Sequence, residues 1–355
     1  MNYHFGGIER LFSSAFALGA TRTAEWLAMQ RPHLRQLPRS ADGAAQALHH
    51  IVIEWTSTVR RLALLYQERL AAPPDCGTAV DWTALWRDFW LETAAAFGLG
   101  EREGRMMHLF FESEGLYHLS RWEPALERAV LAEQVDHFAH VWLGAPHRTP
   151  MGALVQAEHS VALLEDVEMT PSASRIAQAA AEVAEAGLGA LTHRAVATQV
   201  GMTTGAVTRY FRTTEELLAG AIRGQVIAIT AADGLTSSSS PRDRREFFAA
   251  VRRHAVARPL SFSRRNLFLA TVRRPELAGC GAVIRFANGR NTRGGFERVL
   301  APPPEELSLY SSALSRLSGV LRLATRADPS PEESRNIVFE AIEAGISRAL
   351  SAAAA

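Results

Sequence analysis

One segment restricts the fold of this 355-residue chain more than any other, because it predicts several short helices in immediate succession. Single residues suited to the start or the end of a helix divide residues 175–218: Gly187, Thr192, Gly201, Thr203 and Thr213. The helix predicted over 204–210 is too short to be stable alone. A small apolar core must therefore hold these helices together, and its expected members are Val196, Val200, Val207 and Phe211.

Two short helices joined by a turn with a glycine form a helix-turn-helix, whose second helix enters the major groove of DNA. Here the first of the two is predicted over 193–199, the turn contains Gly201, and the second covers 204–210. Thr213, with Glu216 three residues later, forms a capping box that starts a long following helix.

Helical periodicity dominates the rest of the chain, and no alternating run with hairpin turn signals predicts a sheet. We therefore expect an all-α fold. The helices predicted before residue 150 cover 8–31, 42–71, 79–97, 102–121 and 123–143. A last helix is predicted over 331–350, where Ser330 and Pro331 supply an N-cap and a first-turn proline.

The near-zero net charge conceals two oppositely charged halves. Residues 1–170 hold 14 Arg and 21 acidic side chains, whereas residues 171–355 hold 24 Arg and 16 acidic ones. Cys76 and Cys280 are too few for a disulfide framework or a thiolate metal cluster. The first residues lack the features of a signal peptide, and no apolar stretch is long enough to span a membrane. A cytoplasmic protein without membrane contact is expected.

The helix-turn-helix segment resembles the DNA-binding domain of the TetR (tetracycline-repressor-like) family of bacterial transcriptional regulators. The residues that carry the resemblance are Gly187, Thr192, Val196, Ala197, Val200, Gly201, Thr203, Gly205, Ala206, Val207, Tyr210, Phe211 and Glu215. The resemblance implies a DNA-binding regulator, most simply a ligand-responsive repressor, whose partners are a double-stranded operator and a small-molecule effector.

The resemblance also implies which side chains contact DNA. They are Thr192, Arg194, Thr203, Thr204, Thr208, Arg209, Tyr210 and Thr214. Arg209 is the best candidate for base readout, because a guanidinium can donate two hydrogen bonds to guanine. A phosphate-facing or solvated Arg209 is the alternative. Thr214 departs from the family pattern, in which a Lys is common at this position.

A second, shorter resemblance lies at the start of the chain. Residues 2–12 align with 208–218, and the alignment pairs Phe5 with Phe211, Glu9 with Glu215 and Leu11 with Leu217. The chain therefore resembles two TetR-like units in tandem, the first without most of its helix-turn-helix. Either a homodimer or an intrachain pseudo-dimer of the two units follows from this arrangement.

The resulting domain prediction has four parts. Residues 1–150 form a TetR-like regulatory domain, 151–171 a linker, 172–222 the helix-turn-helix domain, and 223–355 a second regulatory and dimerisation domain.

Aromatic and polar side chains in the first regulatory domain make it the expected effector site. The candidate residues are Trp82, Trp86, Trp90, His108, Phe111 and Tyr117. Tryptophan and tyrosine supply apolar walls with a polar group, which suits a pocket between helices. Plain core packing is the alternative explanation of the same stripe.

The second half is rich in arginine between residues 242 and 298, and three explanations remain open. This region can form a surface complementary to the acidic half, a site for an anionic ligand, or additional electrostatic attraction for DNA.

Two other classes of function compete with that of a regulator. Glu133, His137 and His140 share one helix face and could ligate a metal, but no second helix supplies a spaced partner motif. Because no phosphate loop, nucleophile elbow or paired-carboxylate motif occurs, neither an enzyme nor a metal or other cofactor is expected. A helical adaptor or dimerisation protein that has lost DNA binding is the alternative function.

Overall fold

The computed structural model describes residues 8–71, 82–165, 169–231, 241–257, 262–300 and 306–353. Throughout these ranges the chain forms helices and turns and no β-strand, which confirms the predicted all-α fold. Most of the aligned residues 2–12 lie outside the described ranges, as do residues 79–81 of the helix predicted over 79–97.

The first half contains seven α-helices in its described part. They are α1 (Ile8–Leu34), α2 (Ala41–Ser57), α3 (Arg60–Ala71), α4 (Trp82–Ala96), α5 (Glu101–Tyr117), α6 (Pro124–Phe138) and α7 (Ala153–Glu165). A single π-helical turn, Ala139–Leu143, continues α6.

The helix predicted over 42–71 is wrong as one element, because it divides into α2 and α3. The N–H groups of Thr58 and Val59 both donate to the carbonyl of Glu54, at 2.9 and 3.1 Å, which ends α2. The hydroxyls of Thr56 and Ser57 donate to the carbonyls of Val52 and Ile53. Such local bonds compete with regular helix continuation.

The predicted linker, 151–171, contains helix α7. The carboxylate of Glu133 accepts hydrogen bonds from the backbone N–H groups of Gly152 (2.6 Å) and Leu154 (2.8 Å) and so caps the start of α7. Helix α7 packs against α6, and residues Leu154, Ala157 and Val161 are buried. Helix α7 is therefore part of the folded body, while the division into domains stays a prediction.

The described part of the second half contains ten α-helices. They are α8 (Pro171–Val183), α9 (His193–Val200), α10 (Thr204–Tyr210), α11 (Thr214–Ala231), α12 (Arg244–Ala257), α13 (Phe262–Arg273), α14 (Ala278–Ala287), α15 (Arg290–Val299), α16 (Leu307–Ala324) and α17 (Pro331–Ala353).

The two halves share their hydrophobic core. Helix α5 packs against α16 and α17, α6 packs against α16, and α3 packs against α13. One cluster of buried apolar side chains joins Trp86 and Phe111 of the first half to Leu314 and Phe339 of the second. The halves are thus held together by apolar burial as well as by charge.

Buried ion pairs cross the same contact. Glu114 on α5 pairs with Arg316 on α16, and it lies 3.5 Å from Arg285 on α14. Arg285 also lies 3.3 Å from a carboxylate oxygen of Glu127 on α6. All four side chains are buried. Charges this deep are tolerated only where they are paired, so these residues fix how the halves face each other.

Further pairs between the halves lie nearer the surface. Arg273 of the second half pairs with Glu68 of the first. Arg293 of the second half lies 3.4 Å from Glu158 of the first. Here the charges are reversed in one case: Asp328 of the second half accepts hydrogen bonds from Arg87 and Arg105 of the first, at 3.0 and 2.8 Å. Part of the arginine excess of the second half therefore faces acidic residues of the first.

Replacement of Glu114 by alanine is expected to destabilise the protein by about 3–5 kcal/mol, because two buried guanidinium groups lose their shared carboxylate. Urea denaturation followed by circular dichroism measures this free energy of unfolding. The matched control is Glu101→Ala, which removes an exposed carboxylate paired with Arg105 and should cost less than about 1 kcal/mol. Equal effects of the two substitutions would contradict the role given to Glu114.

Candidate nucleic-acid interface

Three threonine side chains start the helices of the helix-turn-helix segment. The hydroxyl oxygen of Thr192 accepts from Ala195 N at 3.1 Å, and that of Thr203 accepts from Ala206 N at 3.2 Å. Thr213 accepts from Glu216 N at 3.1 Å, and Glu216 reaches back to the N–H of Arg212. These bonds satisfy N–H groups that a helix start leaves unpaired, so α9, α10 and α11 begin where the sequence predicts.

Gly201 forms the turn between α9 and α10. Its φ of 72° lies in the left-handed region, which glycine adopts without a steric penalty. The chain reverses there within three residues, and the N–H of Met202 bonds back to the carbonyl of Ala197 at 2.9 Å. The turn places α10 across α9 with its outer face in solvent.

Helix α8 fixes this unit on α11. A Cβ atom added to Gly224 would lie 2.0 Å from the carbonyl oxygen of Ala177, so the two helix backbones touch at this point. Leu217, Ala221 and Ile222 of α11 are buried along the same contact. A side chain larger than hydrogen at 224 would force α8 away from α11.

The small core of the unit is largely as predicted. Val196, Val207 and Phe211 are buried, whereas Val200 is only half-buried. The edge of the aromatic ring of Phe211 lies against Gly220 of α11, which leaves no space there for a Cβ atom.

All eight side chains predicted to contact DNA are exposed, and they lie on α9, on α10 or at the helix starts. Neither Arg194 nor Arg209 makes an ion pair with any described residue. Their guanidinium groups are therefore available to phosphates or base edges. Tyr210 is 39% exposed although it ends α10, so its ring also faces solvent.

The family comparison falls on this same segment. Residues 176–221 match the family model described as bacterial regulatory proteins, tetR family. The match assigns a TetR-type DNA-binding segment to these residues. No curated protein and no solved structure was found to match the chain. A TetR-type domain at this position supports a DNA-binding transcriptional regulator.

Two contacts of the TetR-type domain could not be predicted from the sequence. His193 Nε2 lies 2.7 Å from the carbonyl oxygen of Phe211 and so ties the start of α9 to the end of α10. Helix α13 packs against the 3₁₀ turn Ala184–Ala186, where the buried Ala184 leaves it room. A histidine in a first helical turn gives no signal of its partner, and α13 is distant in sequence.

Five of the six predicted effector residues lie together. The rings of Trp82, Trp86, Trp90 and Phe111 join those of Trp55 and Tyr66 in one buried aromatic cluster, in which the centroids of Trp86 and Phe111 are 3.9 Å apart. His108 Nε2 lies 3.3 Å from Glu112, beside the same cluster. Tyr117 lies elsewhere, with its ring on Phe268 and its hydroxyl accepting from Asn288 at 2.9 Å.

A buried hydrogen bond lies beside this aromatic cluster. Tyr66 donates to the carboxylate of Glu112, which is fully buried. Burial and the neighbouring carboxylate raise the pKa of Tyr66 well above its ordinary value, so the hydroxyl keeps its proton. The pKa of His118, at the junction with the second half, is lowered to about 3. Burial is the larger cause, and the positive charge of Arg285 is the next.

The three side chains weighed as metal ligands have separate contacts. Glu133 caps α7, His137 Nδ1 lies 3.6 Å from Glu306, and His140 Nδ1 lies 3.1 Å from the carbonyl oxygen of Ala145. No group of three potential metal ligands occurs in the part of the chain that the structure describes. Among the same residues, no helix has the length and apolar character to cross a bilayer.

Proposed function

We propose that the protein is a ligand-responsive repressor that places α10 in the major groove of its operator. The observation that carries this proposal is the exposed outer face of α9 and α10, with two arginines free of ion pairs on a TetR-type domain. Regulators of this family are generally not enzymes, and we propose no catalytic activity. The proposed location is the cytoplasm.

Each predicted side chain has a role in this proposal. Arg209 lies in the last turn of α10 and reads a base edge, whereas Arg194 in the first turn of α9 contacts a phosphate. Thr192 and Thr203 use a lone pair as N-caps, which leaves the hydroxyl proton free to donate to a phosphate oxygen. Thr204, Thr208, Tyr210 and Thr214 complete the contact surface.

Replacement of Arg209 by alanine is expected to weaken binding to an operator selected in vitro by about 1–3 kcal/mol, with a smaller loss on a scrambled duplex. Fluorescence anisotropy on both duplexes measures this difference. The control is Arg102→Ala, which removes an exposed arginine of the first half and should change neither affinity. Equal losses on the two duplexes would contradict base readout by Arg209.

The dependence of duplex affinity on salt concentration distinguishes this function from that of an adaptor without DNA binding. Several phosphate contacts predict a steep fall in affinity between about 50 and 200 mM salt. An adaptor would bind no duplex even at the lower concentration.

We also propose that the two halves are TetR-like units paired as an intrachain pseudo-dimer. The corresponding helices are, in order, α1, α2, α3, α5 and α6 of the first half and α11, α12, α13, α16 and α17 of the second. Helix α4 would correspond to α14 and α15 together. Contacts between the halves support this correspondence, because like elements meet: α3 with α13, and α5 with α16. The contact of α5 with α17 is matched by that of α6 with α16. Such reciprocity is the property of a two-fold interface.

The free protein is therefore expected to be a monomer of 38.8 kDa, because the surfaces that would pair two chains already pair within one. Light scattering coupled to size-exclusion chromatography, over a hundredfold range of protein concentration, measures this mass. Native mass spectrometry with operator DNA then counts the chains per duplex. A mass twice as large for the free protein at all concentrations would favour a homodimer instead.

The effector is proposed to bind in the aromatic cluster of the first half. Four buried indole N–H groups have no hydrogen-bond partner in the described structure, and they belong to Trp55, Trp82, Trp86 and Trp90. A buried donor without an acceptor costs about 1–3 kcal/mol, and indole N–H groups usually find a partner. A planar aromatic ligand with carbonyl or ether oxygens would supply the missing acceptors after the rings move apart.

Replacement of Trp86 by phenylalanine keeps most of the packing but removes one donor, so it should weaken the effector about tenfold. The measurement is release of operator DNA by a panel of planar aromatic carbonyl compounds. Trp122→Phe, outside the cluster, is the matched control. Identical responses of the two variants, or no release by any compound, would contradict an effector site in this cluster.

A further inference from the structure

A second site shares no lining residue with the helix-turn-helix or the aromatic cluster. A cleft of about 360 Å³ opens between the end of α1, the turn that follows it and the last turns of α4. Leu34, Leu37 and Phe97 give it an apolar lining. Its volume falls at the lower end of the range of small-molecule pockets, about 300–1,000 Å³.

Three guanidinium groups line this cleft against a single carboxylate. They belong to Arg31, Arg35 and Arg39, and the carboxylate is that of Glu92. Arg35 and Arg39 are exposed and make no ion pair with any described residue. The cleft therefore carries an excess of positive charge that nothing in the described protein neutralises.

Arg31 is held in a fixed orientation. Its Nε and Nη2 atoms donate to one oxygen of Glu92, at 3.0 and 2.8 Å, and its guanidinium lies 5.6 Å from the ring centroid of Phe89. The remaining nitrogen, Nη1, has no partner among the described residues. An acceptor can thus bind Arg31 without breaking its contact with Glu92.

A simpler explanation accounts for only part of this arrangement. Basic side chains favour the C-terminal end of a helix, and Arg31 and Arg35 lie near the end of α1. Arg39, however, lies five residues beyond that helix and follows Pro38. Like charges four residues apart also repel each other by a few tenths of a kcal/mol. Three arginines around one apolar cleft therefore remain unexplained by the helix end.

We propose that the cleft binds a small organic anion, a carboxylate or phosphate monoester with a compact apolar body. Arginine binds the planar carboxylate and the phosphate group by paired hydrogen bonds, and the apolar lining buries the rest of the ligand. This site goes beyond the proposed effector site, because none of its lining residues belongs to the predicted effector set and its ligand is defined by charge. Binding of the anion to this cleft can be measured without DNA.

The test uses the full chain and isothermal titration calorimetry with octanoate, octyl phosphate and octanol as probes. We expect the two anions to bind, and octanol to bind at least about tenfold more weakly, because one charge-assisted hydrogen bond contributes roughly that factor. Octanoate and octyl phosphate together distinguish a preference for carboxylate from one for phosphate. Equal binding of octanol, or no binding of either anion, would overturn the proposal.

Two variants locate the binding. The double substitution Arg35→Gln with Arg39→Gln should weaken the anions about tenfold and leave octanol unchanged, since both side chains are exposed and their loss should not unfold the protein. Ala96→Trp should weaken all three probes, because Ala96 lines the cleft and a large side chain fills it. The control is Arg22→Gln on the same helix, where Arg22 pairs with Glu25 outside the cleft. Anion binding unchanged in both cleft variants would place the anion elsewhere and refute the assignment.

Discussion

The contact of Glu114 with Arg316 and Arg285 governs how the rest of the molecule is arranged. These charges are buried, so any rotation of one half against the other would leave at least one of them unpaired at a cost of several kcal/mol. The apolar contacts around them, such as those of Leu314 and Phe339, favour association without fixing its direction, because the hydrophobic effect is non-directional. The ion pairs select one of these orientations. The positions of α13 and α14, and through them of the helix-turn-helix, follow from that choice.

Helix α13 contacts both the first half and the TetR-type domain. It carries Arg265 and Arg273, which contact Gln67 and Glu68 on α3 of the first half, and it also packs against the turn Ala184–Ala186. Tyr66, the neighbour of Gln67, lies in the aromatic cluster. A ligand that moved α3 would therefore act on the TetR-type domain through α13, provided that its affinity differs between the two positions of that helix.

The sequence predicted those features that depend on neighbours in the chain. The N-caps at Thr192, Thr203 and Thr213 and the turn at Gly201 are local, and they hold because a cap acts within three residues. The buried group of Glu114, Glu127, Arg285 and Arg316 could not be predicted, since its members are distant in the chain and each alone is typical of an exposed helix face. The cleft at Arg31, Arg35 and Arg39 could not be predicted for the same reason, because Glu92 reaches it from α4 and Phe97 from the turn that follows α4.

The contact of α5 with α16 joins two different sequences, and this has an evolutionary consequence. In a two-fold homodimer a contact between residue i of one copy and residue j of the other occurs twice, so every substitution at the interface changes two contacts. Here Glu114 and Arg316 belong to one chain and meet once, so either side can change without a second, symmetric change. A substitution on one side is therefore tested by selection once, not twice at symmetric positions. In the proposed pseudo-dimer, such an interface is free to become asymmetric, and one half can lose a function that the other retains.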